Sequence, residues 1–177
     1  MKLLAFAASN SKKSINGQLI RYVVSLIKEA EAEILDLNDF EMPLFSVDRE
    51  DEWGIPELAH RFYDKIGAAD ALLISHAEHN GSYTVAFKNL FDWTSRIDGK
   101  VYQGKPLVLL ATSPGARGAS GVLATAVNSA PHFGADLKGS LSIAGFYKNF
   151  DTTTGKITNP EIQAELKATL GSLFELG

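Results

Sequence analysis

Short apolar runs alternate along this chain with stretches of helix length, and each run ends in a polar loop. Leu3 to Ala8 is continuously apolar, the pattern of a strand buried on both faces. Ala71-Leu72-Leu73-Ile74-Ser75 and Pro106-Leu107-Val108-Leu109-Leu110-Ala111 repeat it. Glu33 to Leu37 is more polar and reads as a strand near an edge, and Leu137 to Ala144 is a fifth strand. Between them, Ile15 to Ala30 carries Leu19, Ile20, Val23, Val24 and Ile27 on one helical face. Pro56 suits the start of a helix running to Ala68, because its missing N–H is not needed there. Ser82 or Thr84 would cap a helix ending near Arg96. A small-residue helix follows Gly118 to about Phe133. Thr158 or Asn159, with Pro160 at the first position, opens a last helix to about Phe174. Asn38 to Gly54 reads as a long loop.

Strands alternating with helices predict a parallel sheet wrapped on both sides, with right-handed crossovers. The expected fold is α/β: a doubly wound, five-stranded parallel sheet in order 2-1-3-4-5, three layers deep, as in flavodoxin. The 177 residues, without repeat or linker, read as a single domain. In that order the chain reverses direction between strands 1 and 3, and ligands bind outside the carboxyl ends of those strands. Flavodoxin binds FMN at this point of its sheet.

Composition narrows the functions. With no Cys, a disulfide framework, a thiolate nucleophile and a Cys-based metal site are excluded. A net charge of −4 gives no strong attraction to nucleic acid or to an anionic membrane. The first apolar run is too short for a signal peptide, and no stretch has the length of a membrane span. The cytoplasm is the expected compartment. No G-x-S-x-G elbow, paired carboxylates or metal-spaced ligands mark a catalytic or metal centre, so a bound cofactor is expected to carry any chemistry.

The polar loops supply the site. Ser9, Ser11 and Ser14 place three hydroxyls just before the first helix, whose free N–H groups and positive dipole end suit a phosphate monoester. Neither a G-x-G-x-x-G turn nor a P-loop is present there, and an ordinary polar helix cap uses the same residues. After the third strand, Glu78 and Asn80 offer polar groups to the edge of a flat ring, His79 offers a planar face, and Gly81 permits a positive φ. The loop Thr112 to Gly118 is small and Gly-rich, with Arg117 at its tip, able either to pair with a second ligand's phosphate or to stay on the surface.

Four segments resemble the NADPH-dependent FMN reductase family of flavodoxin-like fold. Ala8-Ser9-Asn10-Ser11-Lys12-Lys13-Ser14-Ile15-Asn16 is similar to G-S-x-R-x-x-S-x-N. Met42-Pro43-Leu44-Phe45-Ser46-Val47-Asp48 is similar to L-P-x-[FY]-x-x-D. Ala77-Glu78-His79-Asn80-Gly81-Ser82, with Lys88-Asn89-Leu90-Phe91-Asp92-Trp93, is similar to P-E-Y-N-x-S…L-K-N-x-x-D-W. Ser113-Pro114-Gly115-Ala116-Arg117-Gly118-Ala119 is similar to S-x-G-x-x-G-G. The resemblance implies that Ser9, Ser11, Ser14 and Asn16, with Ile15 between them, hold the phosphate of FMN. It implies that Glu78, His79, Asn80 and Gly81 line the isoalloxazine, with Ser113 and Gly115 closing the far side. Arg117 is the candidate for the phosphate of NADPH or NADH. It also implies a homodimer or homotetramer and a small acceptor such as a quinone. A flavin-binding electron carrier or redox sensor is the alternative. Ser11 stands where the pattern has Arg, and His79 where it has Tyr.

Overall fold

The computed structural model describes residues 1–177. Five parallel strands form one sheet in the order β2-β1-β3-β4-β5: β1 Lys2–Ala8, β2 Glu31–Leu35, β3 Ala71–His76, β4 Pro106–Thr112 and β5 Asp136–Ile143. The central strands are buried on both faces, as their unbroken apolar runs require. Alternate residues feed two cores. Leu4 and Phe6 of β1, Leu72 and Ile74 of β3, and Leu107 and Leu109 of β4 point toward α3 (Glu57–Ala68), α4 (Val85–Thr94) and α5 (Ser120–Ser129). Leu3, Ala5, Leu73, Val108 and Leu110 point the other way, toward α1 (Ile15–Leu26) and α7 (Pro160–Gly171). This two-sided packing is the flavodoxin-like three-layer fold. No helix is long and apolar enough to cross a membrane.

Several boundaries differ from the sequence reading. α1 stops at Leu26 rather than Ala30, because the chain's last residues pair there: Lys28 N–H donates to Glu175 C=O and Gly177 N–H to Leu26 C=O. β2 lies at 31–35 rather than 33–37. Asp36 ends it by accepting the Asn38 N–H at 2.9 Å, and Leu37 is buried in the 3-10 turn that follows. The supposed loop 38–54 contains a helix, α2 (Val47–Trp53), capped by Ser46 and closed by Gly54 at φ 75°. The small-residue helix α5 ends at Ser129. A short helix α6 (Phe146–Asn149) and a hairpin of β6 (Phe150–Asp151) with β7 (Lys156–Ile157) precede α7, where no element was expected.

Candidate cofactor site

Parallel pairing sets Ala8 beside His76 and His76 beside Ala111, so the loops after β1, β3 and β4 emerge side by side at one end of the sheet. A buried polar layer fixes them. Asn16 Oδ1 accepts from Ser75 Oγ at 2.7 Å and from the Thr112 amide at 3.1 Å, while its Nδ2 donates to the Thr112 carbonyl at 3.2 Å. Thr84 Oγ1 donates to the Ala8 carbonyl at 2.9 Å. It also accepts from the Phe87 N–H, so it is Thr84, not Ser82, that caps α4.

The first loop folds as an anion cradle. Ser9 Oγ accepts from the Ser11 amide at 3.1 Å, and Ser14 Oγ caps α1 by accepting from Gly17 N–H at 3.1 Å. Both hydroxyl hydrogens stay available to an acceptor in the loop. The first helical bond runs from Gln18 N–H to Ser14 C=O, and the amides of Lys12, Lys13, Ile15 and Asn16 have no intramolecular acceptor. Ser11 is exposed, and Ser14 and Ile15 are half-buried. Asn16 is placed differently from the expectation: its side chain is buried and turned into the sheet, so only its backbone N–H faces the loop.

The second loop is a tight turn. His79 and Ser82 exchange both backbone hydrogen bonds, at 3.0 and 3.1 Å, around Asn80 at φ 52° and Gly81 at φ 79°. Two consecutive positive φ values belong to the type I′ turn, for which Asn-Gly is the preferred pair. A Cβ on Gly81 would meet nothing within 4 Å, so the tip is bare backbone. The amides of Asn80 and Gly81 are free, whereas that of Ser82 is consumed by the turn. His79 is exposed and shares with Asn10 a groove of about 320 Å³, floored by Phe40, Met42 and Leu44. Asn89 holds that floor in place: its Oδ1 accepts from Phe45 N–H at 2.8 Å, and its Nδ2 donates to the Met42 and Pro43 carbonyls. Trp93 Nε1 adds a 2.7 Å bond to the Pro43 carbonyl. The K-N-x-x-D-W segment therefore clamps the Met42–Phe45 loop.

Glu78 makes a long-range contact of its own. Its carboxylate lies over the start of α5, where one oxygen accepts from the Val122 amide at 2.7 Å. A Cβ on Gly121 would lie 2.8 Å from that oxygen. Gly121 thus leaves room for this carboxylate, a contact sequence reasoning missed; its signal was a glycine in a helix's first turn. The third loop leaves Ser113 half-buried and Gly115 exposed, with the Gly115 carbonyl accepting from Gly145 N–H at 3.0 Å. Arg117 is exposed, its guanidinium also over the first turn of α5.

Beneath the loops His76 is fully buried. Its ring packs edge-on to Phe87 at 5.0 Å and beside Tyr83 at 5.4 Å, and neither ring nitrogen has a partner in the protein. Burial lowers its pKa from 6.5 to about 3, so it is a neutral core residue, as its apolar setting dictates.

A family model described as NADPH-dependent FMN reductase matches residues 1–146. The chain is 35% identical over 120 residues to a 2-hydroxy-1,4-benzoquinone reductase of Burkholderia sp., covering 67% of this chain and 63% of that protein. It is 32% identical over 118 residues to an NAD(P)H-dependent FMN reductase of Pseudomonas aeruginosa, covering 65% and 61%. The matches thus span less than two thirds of those relatives' length. Among solved structures it is similar to FerB, a flavoenzyme NAD(P)H:(acceptor) oxidoreductase from Paracoccus denitrificans. The TM-score is 0.77 at 26% identity, over 97% of this chain and 93% of that one.

Proposed function

Because the chain belongs to the NADPH-dependent FMN reductase family, we propose that it holds FMN across its three loops and passes electrons from NADPH or NADH to a small acceptor such as a quinone. The observation that carries this reading is the junction of two unlike surfaces at one sheet end. One is a cradle of hydroxyls and unpaired amides; the other is a bare, positively twisted turn. The first matches a phosphate, the second the polar edge of a flat ring. The donor set fits FMN.

FMN, when bound, supplies acceptance of a hydride from a nicotinamide and its onward release as two electrons and a proton. The chain's own residues bind and orient. Ser9, Ser11 and Ser14 would donate their hydroxyls to the phosphate, with the Ile15 and Asn16 amides at the positive end of α1. The Asn80 and Gly81 amides would face the ring's polar edge, and His79 would lie against its plane. Ser113 and Gly115 would bound the far side, and Arg117 would meet the phosphate of the nicotinamide donor. Asn16 and Glu78 act as positioning residues, holding loops rather than ligand. No side chain is assigned as acid, base or nucleophile.

The same reading makes residues 1–177 one domain of a cytoplasmic homodimer or homotetramer. Leu44 and Val85, large, apolar and exposed, line the groove beside His79, and a second copy would cover them. The test is to add FMN to the purified protein and follow fluorescence quenching, then to add NADPH or NADH without oxygen, then benzoquinone. Uptake of FMN, bleaching by the nucleotide and return of the yellow spectrum with quinone are expected. Failure to take up FMN overturns the site, and failure to bleach overturns the reductase.

A further inference from the structure

A phosphate monoester brings close to two negative charges, and the hydroxyls, amides and helix end of the cradle after β1 meet it with dipoles, beside two lysines of the same turn. The walls around it are not neutral. Ser9, Ser11 and Ser14 line a groove of about 240 Å³ together with Lys12, Asp36 and Arg21. Asp36, at the end of β2, is a carboxylate on the far wall. Its Oδ1 is engaged by the Asn38 backbone and side-chain N–H groups but carries no cation partner. An anion there needs a positive charge to offset Asp36 as well as its own. Lys12 and Lys13 are exposed on the turn.

Arg21 is placed to supply it. Ser14, Gly17 and Arg21 are spaced three and four residues apart, on one face of α1. Helical side chains tilt toward the N-terminus, so Arg21 leans back toward the cradle. The coordinates agree with that lean: a Cβ built on Gly17 would lie 3.6 Å from Arg21 Nη1 and 3.8 Å from Ser14 Oγ, both ordinary contacts. The guanidinium therefore lies over the bare Gly17, one turn behind the Ser14 hydroxyl. Arg21 takes part in none of the fold's ion pairs. It stands on the ridge between this groove and another facing the β6–β7 hairpin.

We propose that Arg21, reaching back over Gly17, is the fixed charge that holds the flavin phosphate, in a chain whose Ser11 stands where the family pattern has Arg. A guanidinium fork suits this better than a lysine, since it can give two parallel hydrogen bonds to phosphate oxygens. The proposal rests on the flavin reading above, and riboflavin, which lacks the phosphate, separates the two.

The experiment is fluorescence titration of the full chain with FMN and with riboflavin. Arg21→Ala should weaken FMN binding about tenfold or more and leave riboflavin within about twofold. Its FMN affinity should also depend less on salt. Arg21→Lys should keep part of the FMN preference, and Ser11→Arg placed in the Arg21→Ala chain should restore most of it. Arg21 is exposed, and an unchanged melting curve would exclude misfolding as the cause. An FMN-to-riboflavin ratio equal in wild type and Arg21→Ala overturns the role of Arg21 while leaving the flavin site standing. Wild-type protein that binds neither flavin overturns both.

Discussion

The buried histidine gives the chain a pH dependence that can be worked out in advance. His76 titrates near 6.5 in an unfolded chain and near 3 in the folded protein, because burial opposes the charged ring. As pH falls below 6.5 the unfolded state takes up a proton that the folded state refuses. The stability tied to this ring is therefore complete above pH 6.5 and drains as pH falls toward 3. The limiting slope is about 1.4 kcal/mol per pH unit. Two units below the unfolded value, at about pH 4.5, the loss is about 2.7 kcal/mol. Tyr83 faces the same ring, but burial raises its pKa, so it stays neutral across this window. His76→Phe keeps an aromatic ring between Tyr83 and Phe87 and removes the titration. Urea denaturation from about pH 7.5 to 4.5 should show wild type losing about 2–3 kcal/mol more than the variant. At neutral pH the two should differ by about 1 kcal/mol or less, or the variant should be the more stable, because two unpartnered nitrogens are gone. Parallel stability curves for the two proteins, or a folded-state His76 resonance titrating near 6.5, would refute the reasoning.

Asn16→Ala leaves the buried Ser75 hydroxyl and Thr112 amide without their acceptor and should cost about 2–4 kcal/mol in urea denaturation; a loss under about 0.5 kcal/mol would contradict the clamp. Gly118→Ala should be much worse than Gly81→Ala, although both glycines have positive φ. A Cβ on Gly118 would lie 2.6 Å from Ser142 Oγ and 2.8 Å from the Ala144 backbone nitrogen, whereas Gly81 opens onto free space. About 1 kcal/mol is expected for Gly81→Ala and at least about 2 for Gly118→Ala, read from thermal melts; equal losses would count against the packing argument.

The centre of the sheet was readable because burial on both faces leaves an unbroken apolar run, and β1, β3 and β4 fall within a residue or so of their expected bounds. The edges were not. β2 is largely exposed, so no face pattern fixed its register, and the buried Leu37 drew the expected strand two residues too far. α2 buries no residue, so its only signals were the cap at Ser46 and the turn at Gly54. At the site, the loops were visible as polar breaks after strands. The work of individual side chains was not. Asn16 meets Thr112 across 96 positions, and Glu78 meets Val122 across 44. A local pattern assigns such residues to a nearby ligand; the fold assigns them to each other.

The bond from Glu78 to the first turn of α5 has a consequence for what the cleft admits. A charged hydrogen bond of 2.7 Å ties the loop after β3 to the helix that follows the loop after β4. Opening one jaw away from the other breaks that bond, at a cost of about 1.5–3 kcal/mol, so the pair favours one aperture. A mouth of that kind sorts compounds by thickness and breadth, not by functional group. If the chain reduces small acceptors as proposed, planar ones of different chemistry should react at more similar rates than bulky ones do.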